Sequence, residues 1–292
     1  MPSLRHIRKR IASVKNTQQI TKAMKMVAAA RFRKAQDAVL AARPFAHQMR
    51  AVLARVGHRK DVRDHPLLAR RDPAETEDLY VLTSDRGLCG SFNSNVLRAL
   101  EHHLLDHHDR RDSIRVHTIG LKGYQYCKRN GVQIYENIED MLRKPDFRKA
   151  VELTEDLAAR FERGEVDRVT LLLAEFKSAV QQRVVFRPLL PLEPPELDED
   201  TLSRVDYLYE PSKPELLDQL IHRYLANQLF EVILESVASE HGARMTAMEN
   251  ATENAKDMID HLTLDYNKAR QSAITSELMD IVGGAEALRQ SG

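Results

Sequence analysis

The residues best placed to do chemistry lie in Thr83–Asn93 (TSDRGLCGSFN), where two glycines, a cysteine and two serines follow an apolar run and precede a helix-forming stretch. Open α/β sheets bind ligands at such strand-to-helix loops. Gly87 and Gly90 are three apart, which matches neither the dinucleotide fingerprint nor the phosphate loop, and no Gly-Lys-Ser or Gly-Lys-Thr occurs in the chain. A tight turn is the better reading. His102, His103, His107 and His108 with Asp106 suggest metal ligation, and His103 and His107 share a helical face. The His-Glu-x-x-His pattern is absent, and histidines this dense on a polar face are usually solvated, so no metal is expected. Cys89 and Cys127 would react only beside a base. Ser84-Asp85 near histidines is not a triad, because spacing along the chain carries no geometry. The expectation is a chain with no catalytic site and no bound cofactor.

The elements that must position these residues follow from the distribution of breakers. Nine of the eleven prolines lie between Pro66 and Pro214, whereas Ser3–Arg43 contains neither Gly nor Pro. After Pro214 only Gly242 interrupts before Gly283-Gly284. Long helices are expected at both ends. Leu4, Ile7, Ile11 and Val14 open a 3–4 spacing that resumes through Ala28, Phe32, Ala35, Val39, Ala42, Ala46, Met49, Leu53 and Val56, failing only at Gln18, Thr21 and Lys25. Met245, Met248, Thr252, Ala255, Ile259, Leu262, Tyr266, Ala269 and Ala273 repeat the pattern near the other end. Such spacing is the seam of a coiled coil, and two long seams flanking a globular insert most simply pack antiparallel. Pro44 predicts a kink or break, and Ser212-Lys213-Pro214-Glu215 a capped helix start.

The middle alternates strand and helix. Strands are predicted at Asp78–Ser84, Ile114–Ile119, Val132–Tyr135 and Val169–Phe176, with an antiparallel edge at Val180–Arg187. Helices are predicted from Asn93 to about His107, over Tyr124–Asn130 and over Phe147–Arg163, with an acidic connector at Pro188–Asp200. The fold class is therefore α/β with long helices: an antiparallel coiled coil of the N- and C-terminal helices plus an inserted small open, Rossmann-like α/β domain. The divisions read as 1–60, 75–210 and 212–288.

Composition narrows the function. Of 292 residues, 42% are hydrophobic, 30% charged and only 5% aromatic, with no Trp, which suits solvated helices. No apolar stretch approaches the roughly 18–20 residues of a membrane span. MPSLRHIRKR lacks the apolar centre of a secretory signal, and two cysteines fit a reducing compartment. These features lead us to expect a soluble intracellular chain. Residues 1–60 hold fifteen Lys or Arg against one acid, a local charge of +14, while 214–292 carry −7. The excess of seven positive charges calls for a second acidic partner. Asn16-Thr17-Gln18-Gln19 and Thr21-Lys22 interrupt the apolar seam, either as a register device or as a surface touching a partner rather than the sister helix. Asn267–Thr275 mixes small and polar residues similarly, and the two stretches are expected to lie near each other. A nucleic-acid binder would use the basic arm but lacks interleaved stacking aromatics. A small-molecule enzyme would need a convincing site in the 83–93 loop.

The runs IRKRIASVKNTQQITKAMKMVAAARFRKAQ and ARMTAMENATENAKDMIDHLTLDYNKARQSAITSELMDIVGGAEAL, with TSDRGLCGSFN and DYLYEP between them, resemble those of the gamma subunits of the rotary F-type ATP synthase. The resemblance covers nearly the whole chain in order. There is no cysteine-bearing insertion of the chloroplast type, so the dithiol switch of those members is not implied. It implies a rotor shaft, one copy per complex, that couples ion flow through a membrane ring to ATP synthesis or hydrolysis. Three alpha and three beta subunits would surround the shaft and hold Mg-ATP or ADP, and the foot would sit with epsilon on the c-ring. By matching motif, Met24 and Lys25 would pass a beta-subunit lever. Arg270, Gln271 and Thr275 would contact a beta-subunit loop, with Arg244 a weaker candidate. Tyr207 and Glu210 would face the ion ring and epsilon, and Ile281–Leu288 would turn in an apolar sleeve. The resemblance also implies a peripheral place on the cytoplasmic face of a bacterial cell membrane, without a transmembrane segment and without nucleic acid.

Overall fold

A computed structural model describes residues 4–57, 65–178, 181–193 and 213–290. The chain forms two compact units: Ala28–Arg244, and Met1–Val27 with Met245–Gly292. Helix α1 (Leu4–Gly57) and the last helix, α5 (Lys213–Gln290), each contribute to both. Between them come β1 (Glu77–Leu82), α2 (Phe92–Asp106), β2 (Ile114–Ile119), α3 (Leu121–Arg129), β3 (Ile134–Ile138), α4 (Phe147–Glu162), β4 (Arg168–Phe176) and β5 (Gln182–Leu190).

The five strands form one sheet in the order β3-β2-β1-β4-β5. The first four are parallel, and β5 runs antiparallel to β4. Both faces are covered, which is why β1 reads as a continuous apolar run rather than an alternation. Tyr80 and Leu82 point into one core with Leu157 and Phe161 of α4 and Leu225, Leu229 and Ile233 of α5. Leu79 and Val81 point into the other with Val96 and Leu100 of α2 and Cys127 of α3.

The edge strand was expected at Val180–Arg187 and the connector from Pro188. In fact β5 runs from Gln182 to Leu190, so Pro188–Leu190 are strand, with Pro188 opposite Thr170. A proline without N–H is tolerated there because β5 is an edge strand. Helix α1 is continuous through Pro44, with no break. Pro44 and Leu40 are both exposed, so the Leu40 carbonyl deprived of its partner can bond solvent.

The sheet also buries charge that an apolar pattern does not announce. Asp78 and His117 are fully buried, and Arg160 nearly so. Arg160 Nη2 lies 2.7 Å from Asp78 Oδ2, and His117 Nε2 lies 3.3 Å from the same oxygen. The guanidinium compensates the carboxylate, as a buried charge requires. The stacked ring of Tyr80, 4.2 Å from His117, has its phenol pKa raised by burial.

Candidate partner-binding surface

In the two-helix unit the seam residues are the shielded ones. Ile7, Thr21, Met248, Ala255 and Leu262 are buried, and Leu4, Ile11, Val14, Gln18, Ile259 and Tyr266 are half-buried between exposed neighbours. Small residues such as Ala255 let two helices approach closely. Three cross-helix contacts fix the register. The Thr21 and Thr252 hydroxyls lie 2.8 Å apart, Lys25 Nζ is 2.6 Å from Glu249 Oε1, and Arg8 Nη2 donates to Tyr266 Oη at 3.0 Å. Two of the polar interruptions, Thr21 and Lys25, therefore pair with the sister helix as a register device.

The same register overturns one expectation. Moving thirteen residues down α1, from Thr21 to Arg8, moves fourteen up α5, from Thr252 to Tyr266. Asn16–Lys22 thus faces the stretch around Thr252, and Asn267–Thr275 continues past Tyr266 toward the start of α1. The two polar stretches are not neighbours, because antiparallel pairing carries them to different heights on the rod.

The rod is chemically lopsided. Residues 4–27 hold seven Lys or Arg and no acid, whereas 245–290 hold eight Asp or Glu against four Lys or Arg. Beyond Ala273 the seam ends, and residues 274–283 are all exposed. Ile274, Leu278, Met279, Ile281 and Val282 are 48–68% exposed, and four of them share the spacing of one helical face. An uncovered apolar stripe on a helix marks an interaction surface.

The expected site residues separate into distinct situations. Arg270, Gln271 and Thr275 are exposed, with the Thr275 hydroxyl bonded to the Gln271 carbonyl at 2.9 Å. Met24 is half-buried beside Lys25. Tyr207 and Glu210 lie outside the described residues. Arg244, expected as a polar contact to a partner, is only 9% exposed and faces its own chain. Its Nη1 is 2.7 Å from Glu240 Oε1 and 3.1 Å from His241 Nδ1, and its Nη2 donates to the carbonyls of Arg86 and Gly87 at 3.1 and 3.3 Å. Burial, with the charges of Arg244 and Arg31, pushes the His241 pKa down to about 4, so a neutral ring accepts from the guanidinium. Burial likewise raises the pKa of Glu240. The polar spacing on α5 resembles that of a surface position, and only the fold shows which way the side chain turns.

The loop that Arg244 touches is the tight turn at the carboxyl end of β1. Leu88 and Gly90 are left-handed, with φ of 63° and 59°. The groups that could cradle a phosphate already have protein partners: Leu121 N donates to Asp85 Oδ1 at 3.0 Å, and Gly123 N to Thr83 Oγ1 at 2.8 Å. Gly120 closes the crevice, since a Cβ there would meet the Thr83 carbonyl at 1.9 Å. His103 and His107 lie ring to ring at 4.4 Å, and among the described residues no group of three His, Cys, Asp or Glu could hold a metal ion.

Residues 3–288 match the family described as ATP synthase. ATP synthase gamma chains of Trichlorobacter lovleyi and Anaeromyxobacter sp. strain Fw109-5 are 46% and 48% identical, each over 99% of this chain and all of the relative. A chain of the central stalk/c-ring of Tetrahymena thermophila mitochondrial ATP synthase aligns with a TM-score of 0.61 and 26% identity, over 80% of this chain and 99% of that one. A chain of Euglena gracilis mitochondrial ATP synthase aligns with a TM-score of 0.66 over 98% and 94%, and at 20% identity it speaks to the fold alone. With its seams, sheet and uncovered terminal helix matched from end to end, the chain belongs to the ATP synthase gamma chain family.

Proposed function

We infer that this chain is the central rotor shaft of an F-type ATP synthase and a non-catalytic subunit, the catalytic sites being on beta subunits. One observation carries the reading: a two-helix rod, basic on one helix and acidic on the other, whose terminal apolar stripe has no cover among the described residues. A threefold ring closed around such a rod meets a different face at each of its three positions, so turning the rod presents each site with a different partner in sequence.

The finer assignments are part of the proposal. Three alpha and three beta subunits surround one copy of the shaft and hold Mg-ATP or ADP. Met24 and Lys25 pass a beta-subunit lever, and Arg270, Gln271 and Thr275 contact a beta-subunit loop. Arg244 serves that surface only indirectly, because its guanidinium faces inward. Tyr207 and Glu210 face the c-ring and epsilon, and Ile281–Leu288 turn in an apolar sleeve. The divisions 1–60, 75–210 and 212–288 serve as shaft, foot and shaft. No helix among the described residues is long and apolar enough to cross a membrane, which is consistent with a peripheral place on the cytoplasmic face of a bacterial membrane.

The test is capture of the tagged chain from its own detergent-solubilised membranes, with subunit identification and an ATPase assay. The expected result is alpha, beta and epsilon subunits in the ratio three, three and one to the tagged chain, with nucleotide turnover. A chain recovered alone, or with nucleic acid, overturns the proposal.

A further inference from the structure

We propose that Arg244 is a positioning residue for coupling: with Glu240 it forms a pin that fixes α5 to the Ser84–Gly90 loop, so that rotation of the sheet-bearing unit cannot be taken up by rolling of the helix. The inference rests on the rotor-shaft reading. It starts from where α5 stands. As far as Val237 and Ala238 the helix is seated in the larger core mainly by apolar contacts, with ion pairs of Glu231 to Arg50 at 2.6 Å and of Glu235 to Arg187 at 3.3 Å. Ala243 is buried in the smaller core. Apolar contact is non-directional and resists sliding or rolling poorly. Hydrogen bonds fix orientation, since they weaken steeply once the donor turns away.

Among the described residues, the Arg244 guanidinium runs from α5 into the loop and reaches both the Arg86 and the Gly87 carbonyl. Glu240, one turn earlier, holds that guanidinium at 2.7 Å, and each side chain of the pair is 10% exposed. The loop is anchored on the other side as well. Ser84 N donates to Asn93 Oδ1 at 2.9 Å, Lys122 N donates to the Ser84 carbonyl at 3.1 Å, and Asp85 accepts from Leu121 N. The pin thus joins α5 to a loop already rigid with respect to β1, α2 and α3. It stands at the last residue of the sheet-bearing unit, and at Met245 the same helix enters the two-helix unit. A twist delivered to the sheet reaches the rod through a helix that is held in orientation at its point of exit.

The pin is distinguished from a direct partner contact by Glu240, which lies inside the chain. The experiment uses membranes carrying the assembled enzyme with Arg244→Met, Arg244→Lys, Glu240→Gln or the double variant Arg244→Met/Glu240→Gln. ATP-driven ion pumping is read against ATP hydrolysis, and hydrogen exchange is read at residues 85–90. Wild-type composition and pumping test the rotor reading itself, and the variants test the pin. In Arg244→Met the pumping-to-hydrolysis ratio is expected to fall about threefold or more, and the loop amides to exchange about tenfold faster. Glu240→Gln should move both readouts in the same direction, and the double variant should be no worse than Arg244→Met. Arg244→Lys, with a point charge in place of a fork, should restore less than half of the loss. Unchanged coupling in Arg244→Met overturns the proposal, as does full coupling in Glu240→Gln beside uncoupled Arg244→Met. Glu240→Gln leaves the arginine in place, so it decides the matter if Arg244→Met does not assemble.

Discussion

Two stretches of α5 share an apolar helical spacing and end in opposite situations. From Leu217 to Val237 the helix sinks Ile221, Leu225, Leu229 and Ile233 to 0–1% exposure in a core shared with the sheet. From Ile274 to Val282 an equally apolar face is left 48–68% exposed. Between them runs the seam, where one narrow row is covered by one other helix. Spacing therefore tells which face of a helix wants cover but not what supplies it. Where the chain supplies the cover, the residues hold the fold. Where no described residue covers them, they stay exposed.

The difference should be largest in stability. Leu229→Ala removes a fully buried side chain from close packing and is expected to cost about 3 kcal/mol in denaturant unfolding of the chain. A cost under about 1 kcal/mol would mean that this part of α5 is not seated in the core. Next in size comes a pH effect at the end of that seat. His241 titrates at about 4 in the folded chain because burial and two arginines disfavour its charge, against about 6.5 in an unfolded chain. Between these values the unfolded state binds a proton that the folded state refuses. The stability His241 contributes is thus complete above about pH 6.5 and is lost as the pH falls toward 4. Glu240, with its pKa raised by burial, offsets part of the loss by taking up a proton more readily when folded. Allowing for solvent screening of a partly exposed ring, His241→Gln should remove about 2 kcal/mol of that pH dependence. An unchanged slope would show that the ring is open to solvent.

Much of the fold was legible because both kinds of element leave periodic traces. The seam positions found from spacing alone are the shielded positions of the rod, and β1, β2 and β4 lie where β-branched and apolar residues cluster. By contrast β3, expected at Val132–Tyr135, runs over Ile134–Ile138 and takes in the polar Glu136 and Asn137. What remained hidden has physical reasons. Spacing is blind to relative height, so the offset that separates Asn16–Lys22 from Asn267–Thr275 appears only through pairs such as Thr21 with Thr252. It is blind to the direction of a long side chain, so Arg244 and Arg270 look alike although one is clamped between Glu240 and two carbonyls and the other is exposed. It also undervalues buried charge. Asp78 and His117 lie in apolar strands, and only the fold brings Arg160 of α4 to them.

The seam should lie between the two extremes, and its polar members should contribute least. Lys25 and Glu249 pair at 2.6 Å with 38% and 52% of their side chains exposed. Exposed pairs of this kind contribute about 0.5 kcal/mol, so Lys25→Ala should lower stability only by that amount, with most of the effect gone in high salt. In the assembled enzyme the same substitution should have a larger effect if Lys25 also faces a beta subunit. An activity loss no greater than that of Glu249→Ala would confine Lys25 to the register role.

The smallest effect on the fold is expected at the tip, and it makes the comparison sharpest. Leu278 is 56% exposed and lies beyond the last shielded seam residue, Ala273. Leu278→Asn removes no cover from any described neighbour, since residues 274–283 are all exposed, and lowers helix propensity by only a few tenths of a kcal/mol. Unfolding of the isolated chain should therefore stay within about 0.5 kcal/mol of wild type. In the complete enzyme the apolar stripe loses one of its central members. If a sleeve covers it, burying an unpaired amide there costs about 1–3 kcal/mol, and retention of the chain with its partners should fall several-fold. A variant that unfolds more easily on its own would show that the tip is covered by its own chain. Equal stability with undiminished retention and activity would show that the stripe has no partner. Only equal stability with weakened assembly fits a helix whose two apolar stretches have different owners.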